Sequence, residues 1–211
     1  MQFETLIQQP ESLRDDTWEA RFLAEIIKTN VQVEQEEPRE GRDGWPYLFV
    51  RTDAGQEPFV KVVQWLATRG IGLVVNAHKM MPDYIFTYGM IWNFVQTGRF
   101  RTPGATLPPG EVVFEPGQDV LMGDASEAYL PVYVRSVLRQ FLNSQGFIHP
   151  KILVASSGDY KNVDLIVSQE SLNDLRPSSH SVFAEALSWF LPPHYSIVLA
   201  SERNLPKVYD L

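Results

Sequence analysis

Apolar residues recur along this chain at two different periods, and the period of each stretch predicts its element. Leu13, Phe22, Leu23, Ile26 and Ile27 recur at helical spacing behind Pro10 and Glu11, which predicts a helix over residues 11–29. Residues 31–43 carry Glu34, Glu36, Glu37 and Glu40 with Pro38 and Gly41, the pattern of a solvated loop. The run Trp45-Pro46-Tyr47-Leu48-Phe49-Val50-Arg51 reads as a buried strand entered by a proline, and Thr52-Asp53-Ala54-Gly55 supplies a turn. Over residues 57–69, Phe59, Val62, Val63, Leu66 and Ala67 make one helical stripe that Gly70 closes. The strand Ile71-Gly72-Leu73-Val74-Val75-Asn76 follows. Strand, helix and strand together predict a βαβ unit with parallel pairing and a right-handed crossover.

Residues 80–95 break this alternation. Met80, Met81, Tyr84, Ile85, Phe86, Tyr88, Met90, Ile91, Trp92, Phe94 and Val95 are interrupted mainly by Asp83, Thr87 and Asn93. A helix apolar on every side belongs in a core or an interface. Four prolines between residues 98 and 117 then mark a linker around a short strand, Val112-Val113-Phe114.

The second half is more regular. Strands are predicted at Asp119-Val120-Leu121-Met122-Gly123, Ile152-Leu153-Val154-Ala155, Val163-Asp164-Leu165-Ile166-Val167 and Ser196-Ile197-Val198-Leu199-Ala200. The middle two are joined through Ser157-Gly158-Asp159 as a hairpin. One helix is predicted over residues 128–143, with Leu130, Val134, Val137, Leu138, Phe141 and Leu142 inward and Gly146 beyond its end. Another carries Val182, Phe183, Ala186, Leu187 and Phe190, capped by Ser178 or Ser179 and halted by Pro192-Pro193. The order β-α-β-β-α-β matches a split βαβ arrangement. The expected class is α+β (or α/β), built as two small mixed subdomains. Residues 1–44 form an N-terminal helix and acidic loop, 45–117 a first domain and 118–211 a second.

Charge narrows the range of partners. The 211 residues hold 26 acids and 18 bases, a formal charge of −8, and residues 1–43 alone contribute eleven acids against five bases. Binding to a phosphate backbone draws on counterion release by dense Lys/Arg tracts, so nucleic acid is not an expected partner. The start of the chain lacks a basic stretch followed by an apolar run, and no segment has the length of a membrane span. A cytoplasmic protein of bacterial type, without membrane contact, is expected. The absence of cysteine removes disulfides, thiolate metal sites and thiol nucleophiles.

Candidate chemistry is sparse. The thirteen glycines form no phosphate-binding loop, and His78, His149, His180 and His194 are too scattered for a local metal motif. Neither cofactor nor metal is expected. Asp124 and Ser126 stand where a nucleophile could be exposed, but the same residues suit a helix N-cap, which is preferred. Arg135 and Arg139 are expected to face water. Asn76, His78 and Lys79 follow an apolar strand, where ligands gather in parallel sheets, and form the candidate ligand corner. A plain turn is the competing reading of that corner, since Asn tolerates left-handed backbone angles. Tyr84, Tyr88, Trp92 and Phe94 form the candidate protein interface, since aromatic and Met patches suit protein contacts.

The run from Trp45 to Asp53, the helix containing Trp65, and Gly70-Ile71-Gly72-Leu73-Val74-Val75-Asn76 resemble the N-terminal domain of the SseB-type (enhanced serine sensitivity) protein family. Ala77 stands where that family has a proline. The helix near Leu130-Pro131, the strand at Ile152-Leu153-Val154-Ala155 and the closing Leu205-Pro206-Lys207-Val208-Tyr209-Asp210-Leu211 are similar to its C-terminal domain. The resemblance covers residues 45–211 and brings no catalytic residues. A non-enzymatic binding protein with a protein partner, or a homo-oligomer, is therefore the leading expectation. A small-ligand binder or enzyme using residues 76–79, and an adaptor or chaperone for a secreted partner, are the alternatives.

Overall fold

The structure, a computed structural model, describes residues 2–102, 120–157, 163–173 and 175–211. It is α+β and divides into two compact units, Met1–Phe100 and Arg101–Leu211. The predicted strand at Val112-Val113-Phe114, and Gly158-Asp159 of the predicted hairpin, lie outside the described residues.

In the first unit the elements are α1 (Gln2–Ile7), α2 (Asp16–Ile26), β1 (Asn30–Val33), β2 (Arg39–Glu40), β3 (Pro46–Arg51), β4 (Glu57–Pro58), α3 (Phe59–Leu66), β5 (Gly72–Val75), β6 (Tyr84–Phe86) and α4 (Tyr88–Thr97). The sheet order is β4-β1-β3-β5-β6, with β2 also on β3. The predicted βαβ is present: β3 and β5 pair in parallel and α3 connects them. Register places Leu48 beside Leu73 and Val50 beside Val75, with Val33 opposite Val50 and Phe86 opposite Leu73. These side chains share one face, which the helices cover. Phe22 stacks on Tyr84 at 5.1 Å, and Phe59 meets Phe86 at 5.6 Å. Gly72 lets Tyr47 lie across its strand, since a Cβ there would sit 2.5 Å from the Tyr47 ring.

Three expectations for this unit are corrected. The single helix over 11–29 is instead a short 3-10 turn at Glu11–Leu13 and α2, with the unforeseen α1 ahead of them. Asp15 caps α2 by accepting from the Trp18 amide at 2.8 Å, so the helix starts there and not at Pro10. The acidic stretch is not wholly loop, because β1 and β2 pair with β3. Residues 1–44 therefore belong to the first unit and do not stand outside it. The all-apolar helix over 80–95 is a strand and a helix divided at Thr87, whose Oγ1 accepts from the Met90 amide. Thr87 is a cap, and α4 ends at Gly98 with φ 74°.

The second unit runs β7 (Val120–Gly123), α5 (Val132–Ser144), β8 (Lys151–Ser157), β9 (Val163–Ser168), α6 (His180–Phe190), β10 (Ser196–Ala200) and β11 (Tyr209–Asp210). The predicted element order holds, but the spatial order does not interleave as in a split βαβ. It is β10-β9-β8, with β7 and β11 both on β8. Since β9 occupies one edge of β8, β7 and β11 share the other, end to end. The reason is that β8 pairs antiparallel with both β7 and β9, leaving only β9 and β10 parallel. Leu153, Ala155 and Ile166 form a core beneath Leu205, Val208 and Tyr209. The alternate residues Ile152, Leu165, Val167 and Ile197 are also buried. Phe141 of α5 and Phe190 of α6 meet at 4.6 Å.

Local signals in this unit also need correction. α5 begins after Pro131, so Ser126 caps only the preceding turn, accepting from the Tyr129 amide at 3.2 Å. Ser179 sits at the start of α6 without a side-chain cap bond. Arg139 is exposed, as expected, whereas Arg135 is half-buried, and both hold backbone carbonyls. Arg135 donates to the Leu130 and Ala125 carbonyls, and Arg139 to the Leu211 carbonyl.

Candidate functional site

The strand end at Asn76 is built as a buried ion cluster. Asn76 adopts φ 56°, a left-handed backbone that Asn tolerates better than most residues. Its Oδ1 accepts from the Thr52 amide at 3.0 Å. Its Nδ2 donates to Thr52 Oγ1 at 2.8 Å and Asp83 Oδ2 at 2.7 Å. Asp83 is the hub, with a side chain fully removed from solvent. Arg14 reaches its Oδ1 at 2.9 Å and Lys79 its Oδ2 at 2.5 Å. Arg14 also donates to the carbonyls of Ile7 and Gln9, and Lys79 to that of Ile7. The cluster thus fastens the N-terminal helices to the loop between β5 and β6. Of the three corner residues, Asn76 and Lys79 have their polar atoms turned inward, while His78 is exposed. His78 lies near Asp53, whose carboxyl is held below the usual range mainly by its hydrogen bond from Arg51.

The four aromatic residues do not present a common surface. Tyr88 and Trp92 are buried, Trp92 at 1% exposure, and the Tyr88 hydroxyl donates to the Ala67 carbonyl at 2.7 Å. Tyr84 donates to Glu19 at 2.5 Å, and Phe94 stacks on Phe100 at 4.3 Å. Met80 and Met81, 98% and 52% exposed, form a turn before β6. The interface expected at Tyr88 and Trp92 is therefore corrected: both rings are packed inside.

A groove of about 490 Å³ opens instead beside α3. Its walls and floor are Val33, Leu48, Val62 and Trp65, and its rim carries Glu36, Glu57 and Lys61. Leu48 and Val62 are buried, whereas Trp65 is 42% exposed. The helical stripe explains why. Phe59, Val62, Val63 and Leu66 point inward, and position 65 falls to the side of that arc, so an indole there must border solvent. Arg69 lies over the ring, its guanidinium carbon 4.0 Å from the centroid, and donates to the Trp65 carbonyl at 2.6 Å. A Trp set off the apolar stripe was the signal available in the sequence.

The second unit has a polar pocket of about 380 Å³ at the carboxyl ends of β9 and β10, where His149, Lys151, Glu170, Ser171, Asn173 and Glu202 gather. Its carboxylates are engaged within the protein. Glu170 accepts from Ser201 at 2.5 Å and the Glu202 amide at 2.9 Å, and Glu202 accepts from Ser168 at 2.6 Å. These bonds, Ser201 first, lower the Glu170 carboxyl below the ordinary glutamate range.

Buried polar atoms without partners also collect in this unit: Tyr129 Oη, Asp164 Oδ1 and His194 Nδ1. Tyr129 and Tyr195 stack at 4.3 Å, and Ser196 lies beside Asp164 in register. Burial raises the Asp164 carboxyl above its ordinary value, against a Ser196 hydrogen bond that lowers it. The folded state thus favours the neutral acid more than the unfolded chain does. Stability is retained below the ordinary aspartate value and falls as pH rises from there through the raised one. Asp164→Asn is expected to raise stability at pH 7 by about 1 kcal/mol. Melting curves of the two proteins should converge toward pH 4, and a gap independent of pH would refute the assignment. An Asp inside the apolar run Val163–Val167 was visible in the sequence as an anomaly.

No family model matches the chain, and no curated protein or solved structure matches it either. Among the described residues no group of three or more His, Asp or Glu is placed to hold a metal ion. Among those residues, too, no helix is long and apolar enough to cross a membrane.

Proposed function

We propose that the chain is a non-enzymatic binding protein of the SseB-like type that acts in the cytoplasm by holding a polypeptide partner at the Trp65 groove. The observation that carries this reading is the half-exposed indole of Trp65 over a floor of buried Leu48 and Val62. Partly exposed Trp beside an apolar slot is the composition of binding hot spots, because the ring brings large contact area at small entropic cost. The SseB kinship rests on the strand, helix and strand over residues 45–76, the same element that forms the groove wall. Selection of short displayed peptides against the full chain tests the reading. Enriched peptides should lose about tenfold or more in affinity on Trp65→Ala. The variant should melt within about 1 kcal/mol of the parent, since the ring borders solvent. Binders indifferent to Trp65→Ala, or no enrichment at all, would sink it.

A further inference from the structure

Resting on that docking role, we infer that the groove takes a segment with an apolar anchor flanked by Lys or Arg, and discriminates against acidic segments. Three observations point the same way. Glu36 and Glu57 stand exposed on the rim, and neither is in a salt bridge among the described residues. Of the residues that line the groove, Lys61 is the one cation against these two carboxylates, and the Arg69 charge lies over the Trp65 ring, where a partner's cation would take its place. Around it lies the most acidic part of the chain, with Glu37 and Glu40 also exposed on the segment that follows β1. The third observation is the Trp65 face, which already accepts a guanidinium from Arg69 at 4.0 Å. An indole face attracts cations through its quadrupole, so a partner's Lys or Arg can take the place that Arg69 holds.

The physical division of labour follows from these positions. Val33, Leu48 and Val62 offer a slot for one aliphatic or aromatic side chain, whose burial supplies non-directional affinity. The rim carboxylates add attraction over about a Debye length, which steers encounter and penalises like charge more than it tightens the final complex. Charge should therefore set which segments bind, and the slot should set how long they stay.

The test uses the full chain and two families of synthetic peptides that share a Leu-Phe anchor, one flanked by lysines and one by glutamates. The lysine-flanked peptides are expected to bind about tenfold or more tightly than the glutamate-flanked ones, with the gap shrinking as salt rises. In the double variant Glu36→Lys/Glu57→Lys the preference should invert, while Trp65→Ala should weaken both families. Equal binding of the two families, still dependent on Trp65, overturns the charge inference and leaves the docking reading standing. Failure of both families to bind, or binding untouched by Trp65→Ala, overturns the docking reading itself. Preference for lysine that persists unchanged in the double variant places the selectivity away from the rim and also overturns the inference.

Discussion

Asp83→Ala is expected to destabilise the first unit by about 3 kcal/mol, at the lower end of the range for breaking a buried ion pair. The carboxylate is fully buried and serves Arg14, Lys79 and Asn76 together. Its removal leaves two cations without their carboxylate and one N–H of the Asn76 amide without an acceptor. The cations keep partial access to water, with side-chain exposures of 16% and 34%, which is why the loss should not reach the top of the range. Chemical unfolding followed by far-UV circular dichroism measures it. A loss below about 1 kcal/mol would mean that the cations rehydrate freely and that the cluster does not fasten the N-terminal helices.

Trp92→Ala should cost the same unit about 3–5 kcal/mol, the usual range for deleting a large buried ring. This changes how a binding experiment at that position must be read. A Trp92→Ala protein that fails to hold a partner reports a collapsed unit, not a missing contact. Trp65→Ala is the informative counterpart, because its ring borders solvent. A Trp92→Ala protein that melts like the parent would show that the ring is not part of the packed interior.

The regular elements of the second half were legible because each carries its own period and its own stop. Gly146 follows α5 and Pro192-Pro193 follow α6, much as the sequence predicts. What stayed hidden was pairing between distant segments. β1 is only four residues, with its valines alternating with Asn30 and Gln32, and β2 is two charged residues, so pairing with β3 is what makes them strands. The stretch from Met80 to Val95 misled for a different reason. Most of α4 is buried, and Met80, Met81 and Ile85 are apolar although exposed, so no polar face marks either element, and the boundary rests on one threonine cap. At the strand end, the sequence pointed to Asn76 and Lys79 as donors for a ligand. The structure turns both toward Asp83, and the third partner, Arg14, comes from a region 69 residues away. Nothing local could announce that meeting. Trp65 and Asp164 could have been singled out from the pattern alone, as a large ring off its stripe and an acid within an apolar strand.

The strand order of the second unit bears on how the chain can assemble during synthesis. β8 pairs with β7, β9 with β8, and β10 with β9, so each strand finds its neighbour in the segment made just before it. Shorter separations close sooner, so the β8–β9 hairpin is expected to form first, and the pairings of β7 and β10, each reached across one helix, are expected to follow. β11 is the exception. It must return to the far edge of β8, and only then does Arg139 receive the Leu211 carbonyl. Closure of that edge is expected to come last, and without β11 the start of β8, which β7 does not cover, presents an unpaired edge to other chains.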